Sequence, residues 1–491
     1  MNYSPLVSIA FFGAIPLSVL VFLLVPARRA SLIVYLACWL FLPVARIDVP
    51  GFIDVDKAAI TAFAVLIGFL VTDAGRMSRL RWSLMDLPVL IWCACPIWTS
   101  VANDLGAYDG FSNSIARVLT WGVPYFIGRL YFADLSGLRE LAVGMVAGGL
   151  VYVPLCLWEV RMSPQLHTDL YGFYQHHGGF AQSVRGGGFR PLVFMNHGLM
   201  LGLWMSATTL IAIVLWRSGQ LKRLFGVRIS YLALLLLVTA VLCKSSGALG
   251  LLVLGLACLW SSRSLRTALP VVALLVIPSL WSGLRGSGLW SGEGILDVVS
   301  AVASERGTES LAYRMEAEDL LSEKSREQAL VGWGGFGRGL VPWDKGPNGL
   351  VVADGLWIIA FNLNGAIGLI SLLCIALVPI SKLMRRIHVR LWTRAELAPV
   401  GALATVLMIY FVDNLLNAMV NPVYTLIAGG LTGLVMRERI LPSNKQPRAM
   451  QVRRALPSSK RPLCELPGAA GGRKFEEVAP AEPAVASSES A

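Results

Sequence analysis

The sequence predicts an all-α fold: a polytopic transmembrane helical bundle of about 12–14 spans with a large, partly helical outer loop. Three observations predict it. Of 491 residues, 55% are hydrophobic and only 15% charged, whereas soluble domains carry roughly a quarter charged residues. Apolar runs long enough to cross a bilayer recur along the chain. These runs are continuous rather than alternating, which argues against a β-barrel.

Thirteen apolar segments are read as spans. They lie near 5–25, 31–45, 57–73, 86–101, 117–130, 140–158, 191–216, 229–243, 246–262, 267–284, 354–380, 398–416 and 421–436. Several are short enough to be tilted or broken. The first run has no basic leader, so it is expected to remain a span rather than a cleaved signal. Orientation follows from the loops. Arg28 and Arg29 follow the first span, and Arg76, Arg79 and Arg81 the third. Arg217, Lys222, Arg223 and Arg228 follow the seventh, and Arg263 and Arg266 the ninth. Lys382, Arg385, Arg386, Arg390 and Arg394 follow the eleventh. Every cluster falls after an odd-numbered span, so an outside N-terminus and an inside C-terminus place them all in the cytoplasm.

The net charge of +12 invites a nucleic-acid reading. The scatter of the basic residues over short loops excludes it, because that pattern anchors helices to anionic headgroups. Of eight cysteines, seven lie in or at the ends of apolar segments and Cys464 lies in the tail. Their spacing is not that of a disulfide framework. Cys93 and Cys95, inside one span, read as packing rather than a metal pair. Two parts follow: residues 1–437 as the membrane domain, and 438–491 as a disordered cytoplasmic tail, too poor in apolar residues to fold alone.

Three outer segments are substantial: about 102–116, about 159–190, and a polar stretch of about 283–353. The last is far longer than a connector needs. It carries Arg285, Arg306, Arg314, Lys324, Arg326, Arg338 and Lys345, so an anionic, phosphorylated ligand is expected. Tyr313, Ala317, Leu320 and Leu321 share one helical face, with Thr308 as cap. Arg314 either pairs with Glu318 four residues on or is held towards the mouth of the bundle. Gly332, Gly334, Gly335 and Gly337 then form a turn around Trp333 and Phe336, open to reading as a phosphate cradle or as a tight turn.

The second outer loop holds Arg161, His167, His176, His177, Arg185 and Arg190. Arg190, at the mouth of a span, is either a snorkelling arginine or a planar fork for phosphate. His197, beside Asn196, is read as a turn inside the next span, a core or binding residue. His176 and His177 lack a clear third metal ligand. Asp354, where the eleventh span begins, is either a helix cap or a functional acid. Lys244 is an outer-edge cation at a break between two spans.

These pieces resemble the O-antigen ligase and Wzy-type polysaccharide polymerase superfamily, in particular its exopolysaccharide polymerase branch. The order is an arginine at a span mouth, a small-residue Ser246-Gly247-Ala248 turn, a large outer loop, an arginine-bearing helix and a glycine-rich turn. Arg190 matches the family arginine before an F-x-N segment, here Phe194-Met195-Asn196, and Arg314 matches the loop arginine. The resemblance implies a glycosyltransferase C type fold in the bacterial inner membrane. It implies metal-independent, cofactor-free, inverting transfer of a glycan from undecaprenyl diphosphate to a sugar hydroxyl on the outer face. Two departures stand: Asp354-Gly355 replaces a His-Asn pair, and Ser245-Ser246-Gly247 replaces an S-R-G turn, with Lys244 placed to supply the missing cation.

The expected site is therefore Arg190, Arg314 and Lys244 on the diphosphate, Asp354 as proton acceptor, and His197, Arg338 and Trp333 contacting substrate. Tyr174, Phe336 and Trp343 are further platforms for sugar rings. The expected partners are undecaprenyl-diphosphate-linked oligosaccharide, membrane lipids and other polysaccharide export components, with no nucleic acid. A ligase that transfers finished glycan to a lipid or protein acceptor is the near alternative. A lipid-linked sugar transporter or flippase is a second, and a non-catalytic export scaffold a third.

Overall fold

A computed structural model describes residues 3–49, 53–176, 179–301, 305–438 and 440. The expected disordered tail, Cys464 and His177 lie outside the described residues, as does the side chain of Arg306. Helices dominate: α1 (Pro5–Leu24), α2 (Ala27–Phe41), α3 (Lys57–Asp73), α4 (Leu87–Ala102), α5 (Ala107–Arg117), α6 (Val123–Tyr131), α7 (Leu135–Met162), α8 (Leu166–Tyr171) and α9 (Gly198–Arg217). Then follow α10 (Ile229–Leu242), α11 (Ser246–Ser264), α12 (Leu269–Gly286), α13 (Glu293–Ser300), α14 (Glu305–Arg326), α15 (Leu356–Arg386), α16 (Ala398–Leu416) and α17 (Pro422–Met436). Three two-residue hairpins, β1–β2 (Arg46–Ile47, Val55–Asp56), β3–β4 (Val184–Arg185, Gly188–Phe189) and β5–β6 (Arg223–Leu224, Val227–Arg228), ornament the loops.

Each expected span is occupied by helix. Nine helices among the described residues are long and apolar enough to cross a membrane, while α10 and α17 are shorter apolar helices. Two boundaries need correction. The outer segment 102–116 is mostly helix, because α5 continues through a π turn at Val118–Gly122 into α6. The seventh span begins at Gly198, not 191, because residues 190–197 form an irregular segment that carries site residues.

The bundle is built around α9 and α16, whose apolar windows are 89% and 83% buried. Only a core helix can be apolar on all sides without facing lipid. In contrast α1, at 22%, presents most of its leucines outward. The charged loops sort onto one end. Arg28 and Arg437 both pair with Asp134, at 3.0 and 3.4 Å. Arg76 donates to the Leu130 carbonyl, and Arg386 to that of Arg437. The loops grouped by charge in the sequence therefore share one end of the fold.

At the other end the polar stretch is clamped to the bundle. Arg285, in the last turn of α12, is 1% exposed. Its Nε donates to Glu318 Oε2 at 3.1 Å and its Nη2 to the Met315 carbonyl at 2.8 Å. Glu318 Oε1 accepts from the Trp357 indole of α15 at 3.0 Å. Burial pushes the Glu318 carboxyl up to about 7, with Arg285 pulling against it. Glu318 thus goes to Arg285, so of the two readings of Arg314 the pair with Glu318 is not the one formed. The helix also starts at Glu305, so Thr308 lies inside it and does not cap it. Leu311, Met315, Ala317 and Leu321 are buried, which seats α14 on the bundle through an apolar stripe.

The glycine turn docks into a break in α15. Gly365 has φ 60°, and a Cβ on Gly332 (φ 73°) would stand 2.4 Å from the Asn364 nitrogen. The Ala366 amide donates to the Ala329 carbonyl at 2.7 Å, and the Trp333 amide to that of Asn362 at 2.8 Å. Only residues without a side chain allow this approach. The turn is a packing device rather than a phosphate cradle.

Arg285→Ala should cost about 3–5 kcal/mol, because it leaves a buried carboxylate without its partner. Thermal unfolding in detergent and faster proteolysis within 287–353 should show it, and the paired change Arg285→Met with Glu318→Leu should recover most of the loss.

Candidate active site

Arg190 is held by a chain of buried polar contacts that starts in α7. Glu159, in that helix's last turn, is 0% exposed. Its Oε2 accepts from the Leu192 and Val193 amides, both at 2.7 Å, and its Oε1 from Leu166 at 3.1 Å. Val193 sits at φ 54°, a rare conformation for a β-branched residue. Gln175 Nε2 holds its carbonyl at 3.1 Å. On the other flank the β3–β4 hairpin turns at Gly186 and Gly187, both with positive φ, as a two-residue hairpin loop demands. The chain between these two fixed points carries Arg190.

Arg190 is 8% exposed, and its Nη2 donates to the Lys244 carbonyl at 2.9 Å. A Cβ on Gly198 would lie 2.3 Å from Arg190 Cδ, so the arginine crosses the start of α9 where no side chain blocks it. Lys244, at φ 49° in the break between α10 and α11, donates from Nζ to the Arg185 carbonyl at 2.9 Å.

Arg314 arrives from the other side, on α14. Its Nε donates to Asp354 Oδ2 at 2.8 Å, with the carboxylate side chain 42% exposed. Asp354 does not cap α15; Gly355 occupies that position. The acid serves Arg314 instead. Arg314 is also within electrostatic reach of Asp413 on α16. Asp413 is 8% exposed; its Oδ1 accepts from Asn417 Nδ2 at 3.1 Å. Its Oδ2 has no hydrogen-bond partner among the described residues.

His197 stands within electrostatic reach of both arginines. It caps α9 rather than lying inside it, its Nδ1 accepting from the Leu199 amide at 2.9 Å. Its ring lies 4.6 Å from that of His176. Burial, and then the charges of His176, Arg190, Arg314 and Arg185, drive its pKa down to about 3. A neutral imidazole stands in a positive field to which both arginines contribute. Such a field, set by groups fixed before a ligand arrives, suits a polyvalent anion.

Arg338 and Trp333 make their contacts elsewhere. Arg338 donates to the Asn103 carbonyl at the end of α4. The Trp333 indole donates to the Lys324 carbonyl at 2.9 Å, with the Lys324 ammonium 4.1 Å from its ring. Of the other expected ring platforms, Tyr174 bonds Ser183 and Trp343 packs on Tyr313 at 4.6 Å. Beside the cluster lies a cavity of about 620 Å³, lined by Asn196, Ala418, Trp39, Arg46, Asp56 and Lys57. The Trp39 indole nitrogen has no hydrogen-bond partner among the described residues. Among those residues no three His, Cys, Asp or Glu side chains are grouped to hold a metal ion.

Sequence reasoning missed Glu159 and Asp413 as site residues. Both had a signal: an acid inside or at the end of an apolar helix is costly unless it is used. No family model matches the chain, and no curated protein matches it.

Glu159→Ala strips two buried amides and one part-buried amide of their acceptor, each buried one worth about 1–3 kcal/mol. It should lower the unfolding temperature sharply, whereas exposed Glu323→Ala should not. A second expectation concerns pH. His197 has a folded pKa below its unfolded value, so the unfolded state takes up the proton first and stability falls as pH drops from about 6.5 towards 3. His197→Asn, which keeps a capping side chain, should flatten that decline in a pH series of thermal melts. His167, also lowered, to about 4, preserves part of the slope.

Proposed function

We propose that the chain belongs to the O-antigen ligase and Wzy-type polymerase superfamily. In this reading it polymerises undecaprenyl-diphosphate-linked repeat units at the outer face of the bacterial inner membrane. The observation that carries the reading is Arg190 laid across the start of α9 beside the Lys244 turn, together with Arg314 bonded to the half-exposed Asp354 at 2.8 Å. Further support comes from the sorting of the basic loops onto the opposite end, which by the charge rule faces the cytoplasm. That orientation makes the chain a multi-pass protein with an outside N-terminus, a cytoplasmic C-terminus and about thirteen spans.

The donor's diphosphate lies between the Arg190 and Arg314 guanidinium groups, with the Lys244 turn behind Arg190. The acceptor sugar's hydroxyl oxygen attacks the donor's anomeric carbon from the face opposite the diphosphate. The new C–O bond forms as the bond to the diphosphate oxygen breaks. Polyprenyl diphosphate leaves with the electron pair, and the hydroxyl proton passes to the Asp354 carboxylate. The anomeric centre inverts. Both arginines stabilise charge that grows on the leaving group, where fixed cations lower the barrier most. Neutral His197 adds no charge of its own and offers Nε2 to a sugar hydroxyl or phosphate oxygen. Asp413, with one oxygen unengaged among the described residues, adds a second negative charge within electrostatic reach of Arg314. The cavity lined by Trp39 and Lys57 receives the sugar chain.

Arg190→Ala and Arg314→Ala should each lower polymer formation by about 10²–10³-fold without loss of protein from the membrane. Asp354→Asn should lower turnover while donor binding persists. The assay is purified protein with a polyprenyl diphosphate oligosaccharide and product sizing. A ladder on the polyprenyl carrier marks a polymerase, and a single transfer to a separate acceptor marks a ligase. Polymer of wild-type yield from either arginine variant would refute the role assigned to the diphosphate clamp.

A further inference from the structure

The end of the bundle opposite the candidate site holds a second cavity, of about 700 Å³, lined by Arg217, Arg263, Arg266, Arg390 and Arg394. Arg217 closes the helix whose first turn His197 caps. At 20 residues and 1.5 Å each, the two ends stand about 30 Å apart. The cavity therefore has no part in the diphosphate clamp.

Its five guanidinium groups come from three separate stretches of chain. Arg217 and Arg263 occupy the last turns of α9 and α11, where the helix dipole favours cations. That explains two of the five. Arg266 is held at φ 54°, a strained conformation for a non-glycine residue. Arg390 and Arg394 flank Trp392, which is 1% exposed and whose indole donates to the Ile387 carbonyl at 3.2 Å. The buried tryptophan fixes the segment that carries both.

No carboxylate lines the cavity, and none of the five forms a salt bridge among the described residues. By contrast Arg28, Arg76 and Arg437, at the same end, are each paired with an aspartate. Arginines that only anchor a helix reach the headgroups independently along the rim; these five, although exposed, line one hollow, which Lys382 and Arg385 do not. Five on one hollow repel one another until an anion enters. Guanidinium forks match phosphate oxygens in pairs, and the volume falls in the range of small-molecule sites.

We propose that this cavity is a binding site for a ligand bearing two phosphate groups, at the face opposite the candidate active site. The same chemistry is offered by a diphosphate-bearing lipid headgroup and by a soluble pyrophosphate compound.

The test uses full-length protein in an uncharged detergent, at fixed ionic strength to remove screening effects. All variants carry Arg190→Ala and Arg314→Ala, so that the outer clamp does not report. Intrinsic tryptophan fluorescence follows thermal unfolding during titration with inorganic pyrophosphate in one arm and cardiolipin in mixed micelles in the other. Phosphatidylcholine is the control lipid. A ligand that binds only the folded state raises the unfolding temperature with concentration. The expected result is a saturable rise of several degrees with at least one probe. Its half-point should move at least about 10-fold higher in Arg390→Gln/Arg394→Gln, and likewise in Arg217→Gln/Arg263→Gln. Lys382→Gln/Arg385→Gln should behave as the parent. Response to pyrophosphate names a soluble ligand, and response to cardiolipin alone names a headgroup. Two pairs of cavity variants guard against one that fails to fold. The proposal is overturned by no rise with either probe, by an equal rise with phosphatidylcholine, or by an unchanged half-point in the cavity variants.

Discussion

The buried Arg285 guanidinium holds the outer half of this molecule together. A polar stretch of some seventy residues has no apolar content sufficient to pack by itself. What fixes it, beside the apolar stripe of α14, is one arginine that reaches from α12 into α14, taking the Glu318 carboxylate and the Met315 carbonyl, while Glu318 takes the indole of Trp357 on α15. Three helices are tied at one point. An ion pair so deeply buried contributes little net stability against an apolar substitute. Its worth is positional, because Arg314 lies one turn before Glu318 and inherits its place from that clamp.

Glu159 does for Arg190 what Arg285 does for Arg314. Its carboxylate gathers the amides at both flanks of the segment between α7 and α9 and holds Val193 in a conformation the residue would not choose. Each arginine of the candidate site is thus set by a buried charge of the opposite sign or by that charge's partner. The cost of burying those charges is offset by dense hydrogen bonding. A clamp on a polyvalent anion requires such rigidity, since mobile cations would reorganise as charge develops.

The two ends of the bundle differ in how their positive charge is arranged. At the end with the candidate site, cations are interleaved with Asp354, Asp413 and Glu159, and one histidine stays neutral. At the other end, five arginines face a hollow without a lining carboxylate. The first arrangement suits chemistry on an anion, and the second suits retention of one. Both stand at the termini of one central helix, α9.

Membrane character and helix positions were legible in the sequence, because the cost of exposing a peptide group to lipid forces long apolar helices and leaves charges in loops. Arg190, Arg314, Lys244 and His197 were legible as polar groups at span ends. Their partners were not. Helical spacing offered Glu318 to Arg314, yet a fully buried Arg285 outbid it, and Asp354 turned from a capping position to the arginine. Trp333 and Arg338, adjacent in sequence to the loop helix, were drawn off to Lys324 and Asn103 because the glycine turn locks into the break at Gly365. Composition and charge pattern act locally, so the sequence alone determined the bundle and which loops share an end. Contacts between residues far apart in the chain obey competition among all available partners, so only the tertiary structure decided which arginine meets which acid, and that Glu159 and Asp413 belong to the site.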